Sequence, residues 1–329
     1  MNIFALSSEW DIPTPWDFDT IDSPSHNHLA LIRGADDRAY VLCTYDSTDP
    51  TPAQYVHDVL QQIDVAALPF ALPVGLRTRS GAAVVVQHDG YRNWVMSMTP
   101  LYAGDHPTLE DNASAMRAGV ALGHVSRALA AVPIPPATAP TVAFGDYTQL
   151  HPGISDPEMN VHVAPLSVDR VVKLMELVGV CQAFVAESRT LPRQLIHGDF
   201  APANIMFERD AVTAVLDFEC VHADARIYDL AIAVSNWCTF DASYDRRVLR
   251  ALGRGFCSVV TLEAAESAAF FPAVRMVRMQ RFLYTLGAYT TGTVTRVQVE
   301  RAAQAVLSYE AWLQRRGEEA RFDVMSWTT

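Results

Sequence analysis

The sequence predicts an α+β protein of two lobes, a small β-rich amino-terminal lobe and a larger, mostly helical carboxy-terminal lobe. The chain has 329 residues, half of them hydrophobic, which is more than one core usually serves. Strand-like segments surround one helix in the first part, whereas helical periodicity dominates the second. The linker-like stretch MTPLYAGDHP separates them. We therefore expect a small amino-terminal lobe over 1–97, a hinge over 98–107 and a helical carboxy-terminal lobe over 108–329.

The amino-terminal lobe is predicted to contain two hairpins and one helix. LALI (29–32) and AYVLCTY (39–45) are β-prone and flank the turn-like GADDR, which indicates a hairpin. TPAQYVHDVLQQI (51–63) has its apolar residues on one helical face. ALPFALPVGLRT (67–78) and GAAVVVQHDGYRNWVMSM (81–98) are expected to add further strands, with HDGYRN as a turn.

The carboxy-terminal lobe is predicted to be helical apart from a short β-containing segment. QLIHGDF, IMFER and AVTAVLDFE are strand-like, and the last two suggest a hairpin turned at Arg209-Asp210. The expected helices cover 112–132, 167–188, 229–238, 243–260, 262–290 and 297–317.

The composition limits the kinds of molecule that the protein is expected to bind and the compartment in which it is expected to work. The net charge of −12 argues against broad attraction to nucleic acid or to an anionic membrane. The amino terminus lacks a basic region followed by an apolar stretch, so we expect no signal peptide, and no apolar run approaches the ~20 residues of a membrane helix. The five cysteines are scattered and form no CxxC pair, as expected of reduced thiols in a cytoplasmic protein.

The stretch LIHGDFAPAN (195–204), followed by AVLDFE (214–219), carries residue types suited to phosphate chemistry. A hairpin between Asn204 and Asp217 would bring their side chains together, and paired amide and carboxylate oxygens suit Mg²⁺. Asp199 is then left to accept a proton from a hydroxyl nucleophile, as in kinase-type phosphoryl transfer. The joint spacing favours this interpretation over the alternative of a turn with a helix cap.

The pattern HGDxxxxN followed by Asp-Phe near a strand end resembles the aminoglycoside phosphotransferase and choline kinase family. This resemblance implies a bilobal protein-kinase-like fold, with ATP and Mg²⁺ as cofactors. Within it, Asp199 matches the catalytic base and His197 a structural residue of the catalytic loop. Asn204 and Asp217 match the Mg²⁺ ligands.

A second segment, ARIYDLAIAVSNWC (225–238), resembles the type II homoserine kinase branch of that family. Asp229 matches a residue that buttresses the catalytic loop there. From the residues alone a helix N-cap is the favoured role for Asp229, and capping is compatible with the family role. The resemblance extends over roughly 20–310, but only about 195–240 carries specific motifs.

The chain departs from the kinase pattern in its front lobe. Kinase-type enzymes usually hold the α- and β-phosphates with a strand lysine that is paired with a helix Glu. Lys173 is the only lysine and lies in the back lobe. Cys43 occupies the position that would align with the strand lysine, and Asp58 is the nearest match for the Glu. Homoserine kinase-like relatives resemble this chain in lacking a basic residue there.

The expected phosphate-covering loop also differs, because DSPSHNHLALI (22–32) contains no glycine. Asn27 matches the Asn of a Gly-x-x-Asn segment in the homoserine kinase branch. Ser25, Asn27 and His28 are therefore candidate hydrogen-bond donors to phosphate, as are backbone amides in a turn. An ordinary polar turn between strands is the alternative.

The resemblance also implies that the amino-terminal lobe over 1–97 binds the nucleotide and that the helical lobe over 108–329 carries the catalytic loop and the acceptor site. The hinge residues Met98, Pro100 and Tyr102 are expected to bind adenine through backbone groups. The acceptor lies over the helical lobe in the family, and Glu219 and Asp224 are candidates for binding its amino group.

Several further residues have two open interpretations. Arg275, Arg278 and Arg281 recur at helical spacing, which favours a solvated stripe, although one of them is a candidate for a substrate carboxylate. His222 and Asp224 each face either the pocket or solvent.

The predicted function is an ATP- and Mg²⁺-dependent small-molecule kinase that acts on the hydroxyl of an amino alcohol such as homoserine. An aminoglycoside O-phosphotransferase is the second candidate, because polycationic substrates suit acidic pockets. A nucleotide-binding pseudokinase that acts through a partner is supported by the missing strand lysine. A purely structural helical protein would leave the motif from His197 to Asp217 unexplained.

Overall fold

The computed structural model describes residues 9–14, 17–21, 27–88, 90–136, 139–243 and 245–327, so Ser25 lies outside the described residues. The chain forms two compact units. Unit 1 comprises Met1–Asp105, Pro135–Pro140 and Met206–Glu219, and unit 2 comprises His106–Ile134, Thr141–Ile205 and Cys220–Thr329. The lobe and hinge boundaries expected from the sequence stay a prediction.

Unit 1 is built on a five-stranded antiparallel sheet of order β1-β2-β3-β5-β4. Both predicted hairpins are confirmed, since β2 pairs with β3 and β4 pairs with β5. The strands are β1 Asp17–Ile21, β2 His28–Arg33, β3 Ala39–Tyr45, β4 Val84–His88 and β5 Asn93–Pro100.

The strand predicted at 67–78 is wrong. These residues, all of which the structure describes, form only one isolated bridge, between Ala71 and Ala214. Pro69 and Pro73 flank that bridge and have no N–H to give to a ladder, so the segment cannot continue as a central strand.

The helix α1 (Thr51–Leu60) of unit 1 follows the predicted amphipathic pattern. Val56, Val59 and Leu60 on its apolar face are buried. Just before the helix, the Asp49 carboxylate accepts hydrogen bonds from the backbone N–H and the hydroxyl of Thr51. These bonds fix the entry of the chain into α1.

His57 on α1 gives unit 1 an expected sensitivity to acid. The side chain is 3% exposed, and burial lowers its pKa to about 4. Its Nε2 lies 3.3 Å from the Tyr45 hydroxyl. Between pH 6.5 and 4 the unfolded chain binds a proton that the folded chain does not, so stability falls with falling pH, by up to about 3 kcal/mol.

The measurement is the free energy of unfolding in urea at pH 7, 6 and 5 for the wild type and for His57→Gln. Because glutamine does not titrate, the variant should lose less stability across this window than the wild type. Parallel pH curves for the two proteins would contradict the assignment.

Unit 2 is mostly helical, as predicted. Gly119 and Gly255 allow the two helices that contain them to approach closely, because a Cβ on Gly119 would overlap the Leu252 carbonyl oxygen and one on Gly255 the Met116 carbonyl oxygen. No helix among the described residues is long and apolar enough to span a bilayer. The helices are α2 Asn112–Ala130, α3 Pro157–His162, α4 Val168–Ser188, α5 Ile227–Trp237, α6 Asp245–Cys257, α7 Ala264–Thr290 and α8 Arg296–Met325.

Two short ladders bracket the motif segment. β6 (Arg193–Ile196) pairs antiparallel with β9 (His222–Ala225), which places His197 directly after a buried strand. β7 (Ile205–Glu208) pairs with β8 (Ala211–Val215). The predicted turn at Arg209-Asp210 is confirmed, and Arg209 adopts a left-handed φ of 54° there.

Candidate active site

The candidate catalytic loop begins where β6 ends. Gly198 has a φ of +81°, and a Cβ at this position would overlap the carbonyl oxygen of Cys220. Only glycine fits both conditions without strain. The His-Gly-Asp order of the motif therefore has a backbone reason, since Gly198 lets the chain turn and present Asp199.

The Asp229 side chain is hydrogen-bonded to the backbone of this loop. The buried carboxylate accepts hydrogen bonds from the backbone N–H groups of His197, at 2.9 Å, and Gly198, at 3.0 Å. Burial raises the pKa of Asp229, and the neighbouring His197 and the two backbone bonds oppose that rise. The favoured N-cap role is wrong, because Arg226 takes the N-cap position and Asp229 lies in the first turn of α5.

His197 is positioned by its surroundings within the loop. Its side chain is buried, and its Nδ1 accepts a hydrogen bond from the Asp199 N–H at 3.2 Å. The ring packs edge-on against Phe200, with 5.8 Å between ring centroids. These contacts are those of a residue that shapes the loop.

Asp199 and Asn204 are brought together within unit 2. The Asn204 Nδ2 donates to the Asp199 carbonyl oxygen at 2.9 Å and lies 3.3 Å from Asp199 Oδ2. Because Nδ2 is turned toward Asp199, Oδ1 is the Asn204 atom that remains to bind a cation. The Asp199 side chain is 36% exposed, so a hydroxyl group can reach its carboxylate.

Arg281, for which the sequence favours a solvated position and leaves a substrate carboxylate as the alternative, is exposed and lies beside Asp199. Its Nη2 lies 3.4 Å from Asp199 Oδ1, and its Nη1 donates to Asn236 Oδ1. Asn236 in turn donates from Nδ2 to the Phe200 carbonyl oxygen at 3.2 Å. Arg281 and Asn236 thus form one hydrogen-bonded unit with the catalytic loop.

Unlike Arg281, which is exposed, the other two arginines of the predicted stripe are largely shielded from solvent. Arg275 forms a two-bond ion pair with Glu310, at 2.6 and 2.9 Å. Arg278 is buried, and its Nη2 donates to the carbonyl oxygens of Ser235 and Cys238 at the carboxy-terminal end of α5. A signal was available in the sequence, since α7 is apolar on most of its circumference and such helices are buried.

Asp217 and Glu219 lie in unit 1, on a loop just after β8. Asp217 adopts a left-handed φ of 61°, which Asp tolerates better than most residues, while Phe218 is buried and anchors the loop. The Asn27 Nδ2 donates to the Glu219 carboxylate at 2.6 Å, and the Asn27 Oδ1 accepts from the Asp46 N–H. Asn27 therefore connects the start of β2 to the Asp-Phe-Glu loop.

Cys43 lies on β3, within the electrostatic field of that loop. Burial raises the pKa of its thiol to about 12, and the charges of Glu219 and Asp217 contribute to the rise. That Cys43 corresponds to the strand lysine of kinase-type enzymes stays a prediction. A lysine here would meet the Glu219 and Asp217 carboxylates.

Replacing Cys43 by Lys should therefore leave ATP affinity unchanged or weaken it. The new ammonium group would pair with the Asp217 and Glu219 carboxylates. The measurement is the Kd for ATP by calorimetry, with Cys43→Ala as the uncharged control. An ATP affinity about tenfold tighter (about 1.4 kcal/mol) than that of the control would contradict the expectation. It would show that a lysine at position 43 binds the ATP phosphates.

The expected hinge residues are held by the sheet of unit 1. The Met98 side chain is buried in the sheet core, and its carbonyl accepts from the Leu76 N–H at 2.7 Å. Pro100 is the last residue of β5 and pairs with Tyr40. The Tyr102 hydroxyl donates to the Leu72 carbonyl at 2.6 Å. Their predicted role in binding adenine stays a prediction.

Asp224 and His222 are interior residues. Asp224 is 2% exposed, and its carboxylate accepts from the Phe144 N–H, the Ala225 N–H and the Arg193 guanidinium. His222 is buried as well, which excludes both the pocket and the solvent position in this structure. Because Asp224 is enclosed by these protein donors, we leave it out of the proposed acceptor site.

The predicted site residues thus form two groups. His197, Asp199 and Asn204 belong to unit 2, whereas Asp217, Glu219 and Asn27 belong to unit 1. The joint Mg²⁺ site predicted for Asn204 and Asp217 stays a prediction.

A family model described as "Phosphotransferase enzyme family" matches residues 20–266. Among curated proteins, the chain is similar to the homoserine kinase of Granulibacter bethesdensis. The two are 28% identical over 276 residues, which is 80% of this chain and 79% of that protein.

Solved structures of low sequence identity share the fold. A microcompartment-associated aminopropanol kinase superposes with a TM-score of 0.71 at 18% identity, and the match covers 97% of this chain and 98% of that one. An amicoumacin kinase, solved in complex with AMP-PNP, Ca²⁺ and Ami, gives 0.68 at 12% identity over 95% and 92% of the two chains. These likenesses confirm the predicted α+β kinase-like fold.

Proposed function

The chain belongs to the phosphotransferase enzyme family, and we propose that it is an ATP- and Mg²⁺-dependent kinase that phosphorylates the hydroxyl of an amino alcohol such as homoserine. The expected family resemblance and the expected phosphotransferase class are confirmed. The nucleotide, the metal and the acceptor are the parts that the proposal adds.

One observation carries the proposal, namely the half-exposed Asp199 carboxylate on a loop that is fixed from two sides. Asn204 orients Asp199 through its Nδ2, and Asp229 holds the backbone of the residues before it. A carboxylate held in this way can orient a hydroxyl group and accept its proton as the oxygen bonds to the transferred phosphorus. Pre-positioning of this kind is the main protein contribution to phosphoryl transfer.

The donor set fits a hard cation. Asn204 offers an amide oxygen and Asp217 a carboxylate, and Mg²⁺ is usually held by one or two carboxylates together with substrate phosphates. When bound, Mg²⁺ would neutralise part of the negative charge on the ATP phosphates. We propose Asn204 and Asp217 as its protein ligands, and Asn27 together with the hinge residues Met98, Pro100 and Tyr102 as the nucleotide contacts.

Homoserine is the preferred acceptor because a relative that aligns over most of the chain is a homoserine kinase. Glu219, which is exposed, is our candidate partner for an acceptor amine. An aminoglycoside is the second acceptor class, in keeping with the matched phosphotransferase family. We place the enzyme in the cytoplasm, where its five free cysteines would stay reduced.

The deciding experiment is ADP release with ATP and Mg²⁺ against a panel that includes homoserine, 3-aminopropanol, choline and kanamycin. Turnover with homoserine well above the ATP-only background would support the proposal. Turnover with kanamycin alone would replace the acceptor class. ATP binding, seen as a rise in melting temperature, without turnover on any acceptor would favour the pseudokinase alternative.

A further inference from the structure

The Arg281 guanidinium is fixed beside the candidate base by contacts that all lie in unit 2. Its Nη1 donates to Asn236 Oδ1, and the Asn236 amide donates to the Phe200 carbonyl, next to Asp199 in the chain. Its Nη2 is 3.4 Å from Asp199 Oδ1. The position of the guanidinium is therefore set relative to the catalytic loop, and not only relative to α7.

An ion pair with Asp199 does not by itself account for this arrangement. The two side chains are 43% and 36% exposed, and exposed ion pairs contribute little to stability. A guanidinium also carries more N–H donors than these two contacts use. Its planar fork matches a carboxylate with two parallel hydrogen bonds, which a lysine cannot reproduce.

We propose that Arg281 binds a carboxylate of the acceptor, so that the enzyme selects a hydroxyl amino acid over a carboxylate-free amino alcohol or a polycation. The inference rests on the proposed function and adds the specificity-determining residue. In homoserine the hydroxyl oxygen and the carboxylate carbon are separated by four bonds, or about 5 Å when extended. Such a molecule can therefore reach Asp199 with its hydroxyl and Arg281 with its carboxylate at once.

The same charge disfavours other acceptors. When the hydroxyl of an acceptor contacts Asp199, a cationic group on the same molecule would come close to the Arg281 guanidinium. Like charges at short range repel. An amino acid brings its own negative group to that place. The acceptor carboxylate is thus recognised by attraction, and carboxylate-free cations are rejected by repulsion.

The test compares kcat and KM for L-homoserine and for 3-aminopropanol, which is homoserine without its carboxylate. The proteins are the wild type, Arg281→Gln, Arg281→Lys and the control Arg296→Gln, whose arginine is exposed on α8 and pairs with Glu300. Arg281→Gln should lower kcat/KM for homoserine by about 10- to 100-fold, mainly through KM. The ratio of kcat/KM for homoserine to kcat/KM for 3-aminopropanol should therefore fall about tenfold or more, because the variant loses both the attraction for the carboxylate and the repulsion of the carboxylate-free amine. Arg281→Lys should be intermediate, and the control should match the wild type.

Equal losses on both acceptors, carried by kcat, would overturn this inference and reduce Arg281 to a residue that positions Asp199, while the kinase proposal stands. A wild-type enzyme that prefers 3-aminopropanol to homoserine would overturn it in the same way. A wild type that phosphorylates no acceptor would instead overturn the proposed function, and this inference with it.

Discussion

Replacing Asp199 by Asn should lower kcat by about 10²- to 10⁴-fold, the range that a general base contributes. The amide has the shape of the carboxylate but cannot take up a proton from the acceptor hydroxyl. Asp199 is half-exposed and lies on a loop whose backbone is held by Asp229, so the change should leave the fold intact. The melting temperature and the Kd for ATP should therefore stay close to the wild-type values.

Steady-state ADP release with the preferred acceptor measures the effect, with Glu300→Gln as the control. That control makes the same carboxylate-to-amide change on α8, where Glu300 pairs with Arg296 of the same helix. A variant at position 199 that turns over like the wild type would show that another group takes the proton. If the variant unfolds at the assay temperature, its kcat is compared with that of the wild type at a lower temperature, at which ATP binding shows that the variant is folded.

Replacing Asp229 by Ala should cost about 2–4 kcal/mol of unfolding free energy, because each buried N–H left without an acceptor costs about 1–3 kcal/mol. The two groups concerned are the backbone N–H groups of His197 and Gly198. Removing the carboxylate also removes its own desolvation cost, which offsets part of the loss. Since whole proteins are stable by about 5–15 kcal/mol, this is a large fraction.

Asp229→Asn is the matched variant, because its amide keeps one acceptor oxygen and should lose roughly half as much. Urea unfolding gives the stability order, expected as wild type, then Asn, then Ala. The folded Ala variant should also lose at least about tenfold in kcat, because misplacement of the catalytic loop disturbs Asp199. Wild-type stability together with wild-type kcat in the Ala variant would refute the buttressing role.

The catalytic loop could be predicted from the sequence because its conformation depends on residues that are close together in the chain. Gly198 needs a left-handed backbone, and Asp199 and Asn204 lie on one short loop, so their contact follows from the chain itself. The hairpins of unit 1 and most helices were predictable for the same reason, since turn residues and apolar periodicity act over a few residues. The strand prediction at 67–78 failed because the apolar residues of this segment resemble a strand, whereas the prolines that interrupt it prevent a continuous ladder.

The sequence by itself thus determined the family, the catalytic loop, both hairpins of unit 1 and most of the long helices. Tertiary structure alone decided which polar groups meet across the chain. Asp224 looked available to a substrate and is enclosed by protein donors, while Arg281 looked like a surface residue and lies beside Asp199, 82 residues away. Periodicity states which face of a helix is apolar, but the partner of a buried polar group depends on what packs against that face, and this is set by contacts between distant segments.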